Sequence, residues 1–230
     1  MIGIIGAMEE EVAALKSEMA DAKVTEFASM TFYKGTLCGK DTVVVRSGIG
    51  KVNAAICAQI LVDKFGVDTL INTGIAGSLD ARIDIGDMVI STDAVHHDMD
   101  ATIFGDAIGQ VPRMDTRTFP ADPHLVELAV KANEKANPQI HTFTGRVASG
   151  DQFISSGEVK ARIVENFQAL CTEMEGAAIA QVSYPNKVPF VILRTISDKA
   201  DDSATMDYPA FEKLAIANNV KVMKELVANI

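Results

Sequence analysis

Apolar runs of strand length alternate with helix-periodic segments from one end of the 230-residue chain to the other. That alternation points to an α/β fold, with a largely parallel sheet buried between helical layers. Its most informative part is the charge at the ends of the runs. Val188–Leu193 reads as a buried strand and continues into Arg194–Thr195–Ile196–Ser197–Asp198. Phe167–Cys171 reads as another and continues into Thr172–Glu173–Met174–Glu175–Gly176. A charge at the end of a strand covered on both faces is costly unless a partner or a ligand meets it. The carboxyl ends of such strands are where α/β folds place their sites.

Residues 1–7 read as a short strand and 8–20 as a helix with Met8, Val12, Leu15 and Met19 on one face. Residues 30–38 and 41–47 form a strand pair turning at Gly39–Lys40, which makes the sheet mixed. Residues 51–66 are a helix that is apolar nearly all round from Val52 to Val62, a pattern that predicts deep burial. A strand over 67–73 leads into a small-residue turn, Thr73–Gly74–Ile75–Ala76–Gly77–Ser78, and 86–96 is a further strand. A helix over 123–136 enters through Asp122–Pro123. A strand covers 140–149, and the helix over 156–166 is capped by Ser155 or Ser156. Another helix runs from the Met174 turn to Tyr184, followed by a strand over 188–197. A polar loop, 199–207, rich enough in Gly-like small and acidic residues to move, precedes a last helix to 228. The apolar stripe of that helix is Phe211, Leu214, Ala217, Val220, Met223 and Val227. There is no linker, repeat or low-complexity stretch, so residues 1–230 are expected to form one three-layer domain.

Composition narrows the partners. There are 21 Lys and Arg against 31 Asp and Glu, a formal net charge of −10. Such a chain offers no basic footprint for nucleic acid or an anionic membrane. No apolar run approaches the ~18 residues of a membrane span, and the apolar start runs directly into glutamates rather than following a basic segment. Cys38, Cys57 and Cys171 are widely spaced, fit a reducing compartment and match no metal-ligand pattern. The cytoplasm is the expected location.

Several segments carry candidate chemistry. Glu9, Glu10 and Glu11 sit at a helix start, where acidic residues favour the positive end of the helix dipole. At roughly 100° per residue, Glu11 lies closest to the Met8/Val12/Leu15/Met19 stripe. It is therefore the carboxylate expected to face a pocket, with a pKa raised by desolvation. Ser47–Gly48–Ile49–Gly50–Lys51 fits neither a Walker loop nor a dinucleotide fingerprint; it is a glycine turn where backbone approaches a ligand, or a plain strand-to-helix turn. Ile75, Ala76 and Gly77 make room at a strand end for something flat or for another backbone. His96 and His97, on opposite strand faces, suit a structural or interface role. His124 and His141 have no convergent partners. Phe153 and Ile154, after Ser149–Gly150–Asp151–Gln152, suit a planar base held by stacking and main-chain bonds, or simply core packing. Arg194, Ile196 and Asp198 share one strand face, with Ser197 on the other. Arg194 and Asp198 lie about 13 Å apart if the strand is extended, too far to neutralise each other. Glu175 is the candidate partner of Arg194.

Taken together, Gly6–Ala7–Met8–Glu9–Glu10–Glu11, Ser47–Gly48–Ile49–Gly50–Lys51–Val52, Asn72–Thr73–Gly74, Ser149–Gly150–Asp151, Glu173–Met174–Glu175 and Arg194–Thr195–Ile196–Ser197–Asp198 resemble one family in order and spacing. It is the bacterial 5′-methylthioadenosine/S-adenosylhomocysteine nucleosidase family, within the nucleoside phosphorylase superfamily. The resemblance runs from Met1 to the last helix. It implies a homodimer with a mixed, partly barrel-like central sheet ringed by helices. By the same resemblance Glu11 orients and deprotonates the attacking water, Asp198 protonates adenine N7, and Ser197 positions Asp198. Glu175 grips the ribose hydroxyls, Met174 packs beneath the sugar, Arg194 lies near the water and Glu175, and Glu173 counts among the substrate-binding residues. Phe153 stacks on adenine and the Ile154 backbone reads its edge. Ile49 and Tyr208 line the alkylthio pocket, which Phe104 and Pro112 close from the partner subunit. Ile75 stands where the family commonly has serine, beside Ala76 and Gly77.

The resemblance implies no metal and no organic cofactor. Cleaving an N-glycosidic bond through an oxocarbenium-like state requires an acid at the leaving base and a base at the water, and these residue types supply both. Phosphorylases sharing the fold need a cationic phosphate cradle, whereas this chain places three glutamates after its first strand. A non-catalytic nucleoside binder would have no need of the acid–base pair.

Overall fold

The computed structural model describes residues 1–230, apart from the side chain of Met206. The described residues build a 10-stranded mixed sheet. Its spine is β5 (Thr69–Ser78), buried at every position. Along one side, β5 pairs in parallel with β10 (Phe190–Asp198) from Leu70 to Gly77. Along the other side it changes partner midway. β1 (Ile2–Gly6) accompanies it in parallel from Thr69 to Asn72. β9 (Cys171–Glu173) then joins antiparallel at Gly77 and Ser78. From β9 the sheet passes through β8 (Thr142–Ser149) and β6 (Met88–His96) and returns to β10, closing a ring. From β1 it extends outward through β4 (Lys40–Arg46), β3 (Met30–Leu37) and β2 (Ala20–Phe27). A short β7 (Phe119–Pro120) pairs with β6. The sheet is thus mixed and partly a barrel, as the family resemblance implies.

Helices cover the sheet on both faces. α1 (Glu9–Ser17) packs with α6 (Ala204–Asn229), and α3 (Pro123–Ala136) joins them over one apolar cluster containing Ile4, Leu15, Leu193 and Leu226. α2 (Lys51–Ile60) and α5 (Gly176–Asn186) pack together over the other, which includes Ile5, Phe32, Leu61, Val89 and Ile192. α4 (Gly157–Phe167) closes a smaller cluster around Val95, Ala148 and Phe167. Asp122 caps α3 by accepting from the His124 and Leu125 amides, as Asp122–Pro123 predicts.

Six expectations need correction. The 73–78 segment is not a turn: pairing with β10 continues through Gly77, so the strand continues. Phe167 ends α4 and is not part of a strand, and β9 begins only at Cys171. Residues 20–27 form an unexpected strand that is almost wholly exposed, so no apolar alternation marked it. Helix α2 buries one face only, with Val52 70% and Ile56 41% exposed. In α6, Phe211, Leu214 and Ala217 are exposed, and the buried face carries Ala215, Asn218, Asn219, Val222, Met223, Leu226 and Val227. The helix also starts at Ala204, which shortens the polar loop. Pairing and packing partners decide each case, and apart from the β2–β3 hairpin they are distant in sequence.

Under the outer part of the sheet, Phe32 stacks on Phe65 at 5.0 Å and meets Phe27 edge-on at 6.1 Å. Phe65 ends a π-helical turn, Leu61–Phe65, which extends α2 and stops at Gly66 in the left-handed region (φ 64°). Phe32 is fully buried, so Phe32→Ala is expected to cost about 3–5 kcal/mol. Urea unfolding should show a lower midpoint at unchanged slope.

Candidate active site

The change of partner along β5 leaves an opening. β1 stops pairing after Asn72 and β9 starts only at Gly77. Ile75, Ala76 and Gly77 border the opening and line a cavity of about 220 Å³. Six segments converge on it besides β5: the start of α1, the 48–50 turn, the 152–154 loop, the β9–α5 junction, the carboxyl end of β10 and, through Tyr208, the first part of α6.

Glu11 enters from the start of α1. As the third residue of that helix its side chain folds back, and Oε2 accepts from the Ala7 and Met8 amides at 2.7 and 3.0 Å. This satisfies helix-terminal donors that otherwise lack partners. Oε1 accepts from the Ile75 amide at 3.2 Å, across the opening. Burial pushes the Glu11 pKa above the usual carboxylate range, against Arg194 and the three amides. Glu10 is exposed, and Glu9 pairs with Lys16 at 2.8 Å. The helical-wheel choice among the three glutamates is therefore the one the fold makes.

Asp198 stands at the opposite sequence end. A bulge between Ile196 and Asp198 breaks strand alternation, so Ser197 and Asp198 both line the cavity, contrary to the alternating-face expectation. The Ser197 hydroxyl donates to Asp198 Oδ2 at 2.8 Å, and the Ala200 amide donates to Oδ1 at 2.8 Å. Burial raises the Asp198 pKa despite these donors, and Asp207 and Asp201 add to the rise. Gly77 leaves the room: a Cβ there would lie 2.8 Å from Asp198 Oδ1.

Arg194 is fully buried behind the cavity and does not line it. Its main partner is Glu173, not Glu175 as expected. One Arg194 amino group bonds Glu173 and also Asn72 Oδ1, the latter at 2.5 Å, while Glu175 Oε2 is 3.9 Å away. The partner is set by the ring: β9 carries Glu173 directly across the opening from Arg194. Glu173 also accepts from the Ser149 hydroxyl and, at 2.8 Å, from the Gly176 amide at the start of α5. Burial alone would raise its pKa, but Arg194, Ser149 and Gly176 overcome that and hold it low. Glu175 lacks such support. It accepts from the Gly50 amide at 2.8 Å, and burial, followed by repulsion from Glu173, pushes its pKa to about 8. The glycine turn at 48–50 thus approaches a carboxylate of the protein, with Gly48 and Gly50 at φ +86° and +96°.

The rim is apolar. Phe153 meets the Tyr208 ring edge-on at 5.8 Å, and Ile154, Ile49 and Met174 complete it. Ala7, Gln152 and Thr172 also line the cavity, with no charge or spacing to mark them, and so does Met8, which spacing marks only as part of the α1 stripe. Phe104 and Pro112 are exposed and lie outside this chain's cavity. His96 bonds Gln181 at 2.8 Å and His97 packs on Gly150; both are buried. Cys38, Cys57 and Cys171 are unpaired thiols. Among the described residues, no group of three or more His, Cys, Asp or Glu side chains is arranged to hold a metal, and no helix is long and apolar enough to cross a membrane.

Glu175→Gln tests the charge balance. A carboxyl raised from 4.5 to about 8 in the folded state keeps a proton that the unfolded chain loses. Stability therefore falls as pH rises through that window. The Gln variant lacks this slope, so its melting temperature should exceed the parent's at pH 8 and the gap should close by pH 5.

A family model described as "Phosphorylase superfamily" matches residues 1–228. A 5′-methylthioadenosine/S-adenosylhomocysteine nucleosidase of Staphylococcus saprophyticus is 46% identical over the full length of both chains. The Neisseria meningitidis nucleosidase of the same name, solved with methylthio-immucillin-A, superposes with TM-score 0.96 at 40% identity, covering 100% of this chain and 99% of that one. Futalosine hydrolase of Helicobacter pylori superposes with TM-score 0.94 at 33% identity, covering 100% and 97%. The chain belongs to the 5′-methylthioadenosine/S-adenosylhomocysteine nucleosidase family of the phosphorylase superfamily.

Proposed function

We propose that the protein hydrolyses the N-glycosidic bond of 5′-methylthioadenosine and S-adenosylhomocysteine, releasing adenine and the thioribose. The observation that carries this reading is the pair of buried carboxyls, Glu11 and Asp198, both raised in pKa and both lining one cavity. Asp198, protonated, donates to adenine N7, so the C1′–N9 bond breaks without a full charge on the base. Glu11, ionised, takes a proton from water as its oxygen attacks C1′. Positive charge on the sugar is met by nearby carboxylates. Glu175 is placed to hold the ribose hydroxyls, with Met174 under the ring, and Phe153 and Ile154 serve the base. Arg194 acts through Glu173 and Glu175, and the hydroxyl of Ser197 orients Asp198.

Water is favoured over phosphate because the described cavity lining has no Lys or Arg, and Arg194 is committed to Glu173. Ile75 presents an alkyl group where a hydroxyl would add a contact. Ile49 and Tyr208 border the 5′ side, and Tyr208 donates to Glu212 at 3.1 Å. The chain is read as a homodimer. Ile103 and Phe104 are 88% and 86% exposed, and Val52, Ile56 and Ile49 add further exposed apolar surface. Such a surface suits a second copy, with Phe104 and Pro112 completing the partner's 5′-thioether pocket. No cofactor enters the reaction, and three cysteines outside any disulfide suit the cytoplasm.

Adenine release from methylthioadenosine should proceed equally with and without phosphate, and inosine should not be cleaved in preference. Asp198→Asn should lower kcat by about 10²–10⁴; full retained turnover would overturn the assignment. Phe104→Ala should raise KM for methylthioadenosine about tenfold through lost apolar contact, with little change in kcat.

A further inference from the structure

The geometry assigns to Asn219, on α6, the placing of Glu11: it holds the 74–75 peptide whose amide holds that carboxylate. The inference rests on Glu11 as the base at water. Asn219 is 3% exposed, and both ends of its side-chain amide are used. Nδ2 donates to the Gly74 carbonyl at 2.6 Å, and Oδ1 accepts from the Thr73 hydroxyl at 2.8 Å. The Gly74 carbonyl and the Ile75 amide belong to one planar peptide unit. The other end of that unit donates to Glu11 Oε1 at 3.2 Å.

Two physical effects follow. The first is placement. β5 at Gly74–Ile75 has lost β1 and not yet gained β9, so on that side the sheet does not fix this peptide. Glycine is required there, because a Cβ would lie 2.6 Å from Glu11 Oε1 and 2.8 Å from Arg194 Nη1. A residue without a side chain, in a stretch that the sheet holds on the β10 side only, gains a second anchor from Asn219. The second is polarisation. A donor on the carbonyl strengthens the N–H at the far side of the same peptide, which favours ionised Glu11. The Thr73 hydroxyl fixes which way the Asn219 amide points, since it donates to Oδ1 and leaves Nδ2 for the carbonyl. Asn219 never touches the cavity and is a positioning residue.

The charged and titratable groups facing Glu11 are Arg194 from β10, Glu175 from the start of α5, and Tyr208 from α6. Asn219→Leu alters none of them. The test is a pH titration of the Ile75 amide resonance in ¹⁵N-labelled protein, since that amide bonds the carboxylate. Alongside it, kcat and KM are measured across pH for methylthioadenosine. In Asn219→Leu the Ile75 midpoint should rise by about half a unit, and the acid limb of kcat/KM should move up with it. Turnover near neutrality should fall about 10- to 100-fold through misplacement, with KM within about twofold. Thr73→Val, which keeps shape and removes one donor, should shift the midpoint in the same direction by less, and decides the matter if the Leu variant does not fold. A lowered melting temperature with unchanged Ile75 midpoint and unchanged acid limb would overturn the role. A parent that does not cleave the thioether would overturn the proposed function, and the Ile75 titration would still decide whether Asn219 sets the carboxylate.

Discussion

The constraint on which the molecule turns is that one strand, β5, serves two parts of one sheet. Its first half belongs to an open parallel array with β1, and its second half belongs to a closed ring with β9 and β10. A strand that changes partner must pass through a stretch paired on one side only. Such a stretch has spare backbone groups, and in a buried place they must be satisfied. Here the protein uses a carboxylate, Glu11, in the space a continuing β1 would occupy. The cavity is therefore a product of sheet topology, and its first functional group is the one that completes the backbone hydrogen bonding.

Charge follows from that geometry. One guanidinium, Arg194, is buried among three carboxyls, Glu173, Glu175 and Glu11. It pairs closely with one of them, and removing either partner of such a buried pair typically costs about 3–5 kcal/mol. The remaining two are left short of positive charge, and both have raised pKa values. Arg194 is thus not a binding residue in the simple sense. It anchors Glu173, and by choosing Glu173 it leaves the other two carboxyls with pKa values above the usual carboxylate range.

Much of this was readable from the sequence, for identifiable reasons. Glu11 was separated from Glu9 and Glu10 by helical angle alone, because helix geometry is local. Burial of Arg194 and Asp198 followed from the apolar run before them. The misassigned partner of Arg194 shows the limit. Glu173 and Glu175 are two residues apart, and only the position of β9 in the ring decides which faces Arg194. Strand alternation failed at Ser197, where a bulge turns both Ser197 and Asp198 to the cavity. β2 was missed because a strand exposed on both faces carries no hydrophobic pattern. Asn219 had no signal, as a polar residue on a long helix reads as solvent-facing. The roles of Phe104 and Pro112 concern a surface, and the fold of one chain leaves them outside its own cavity.

Ring closure also bears on how the chain reaches its native state. β5 comes early in the sequence, whereas its lengthwise neighbour β10 comes more than a hundred residues later. Contacts of such separation are slow to form, because loop-closure entropy must be overcome first. As synthesis proceeds from the amino terminus, Glu11 and β5 emerge long before Asp198. Until β10 arrives, β5 presents an unpaired edge on a strand that the native fold buries at every position, the kind of surface that invites wrong pairing between chains. The seam that brings acid and base together at the end of folding is thus also where a growing chain is most exposed to aggregation, and a barrel that has not closed has no partial activity to offer.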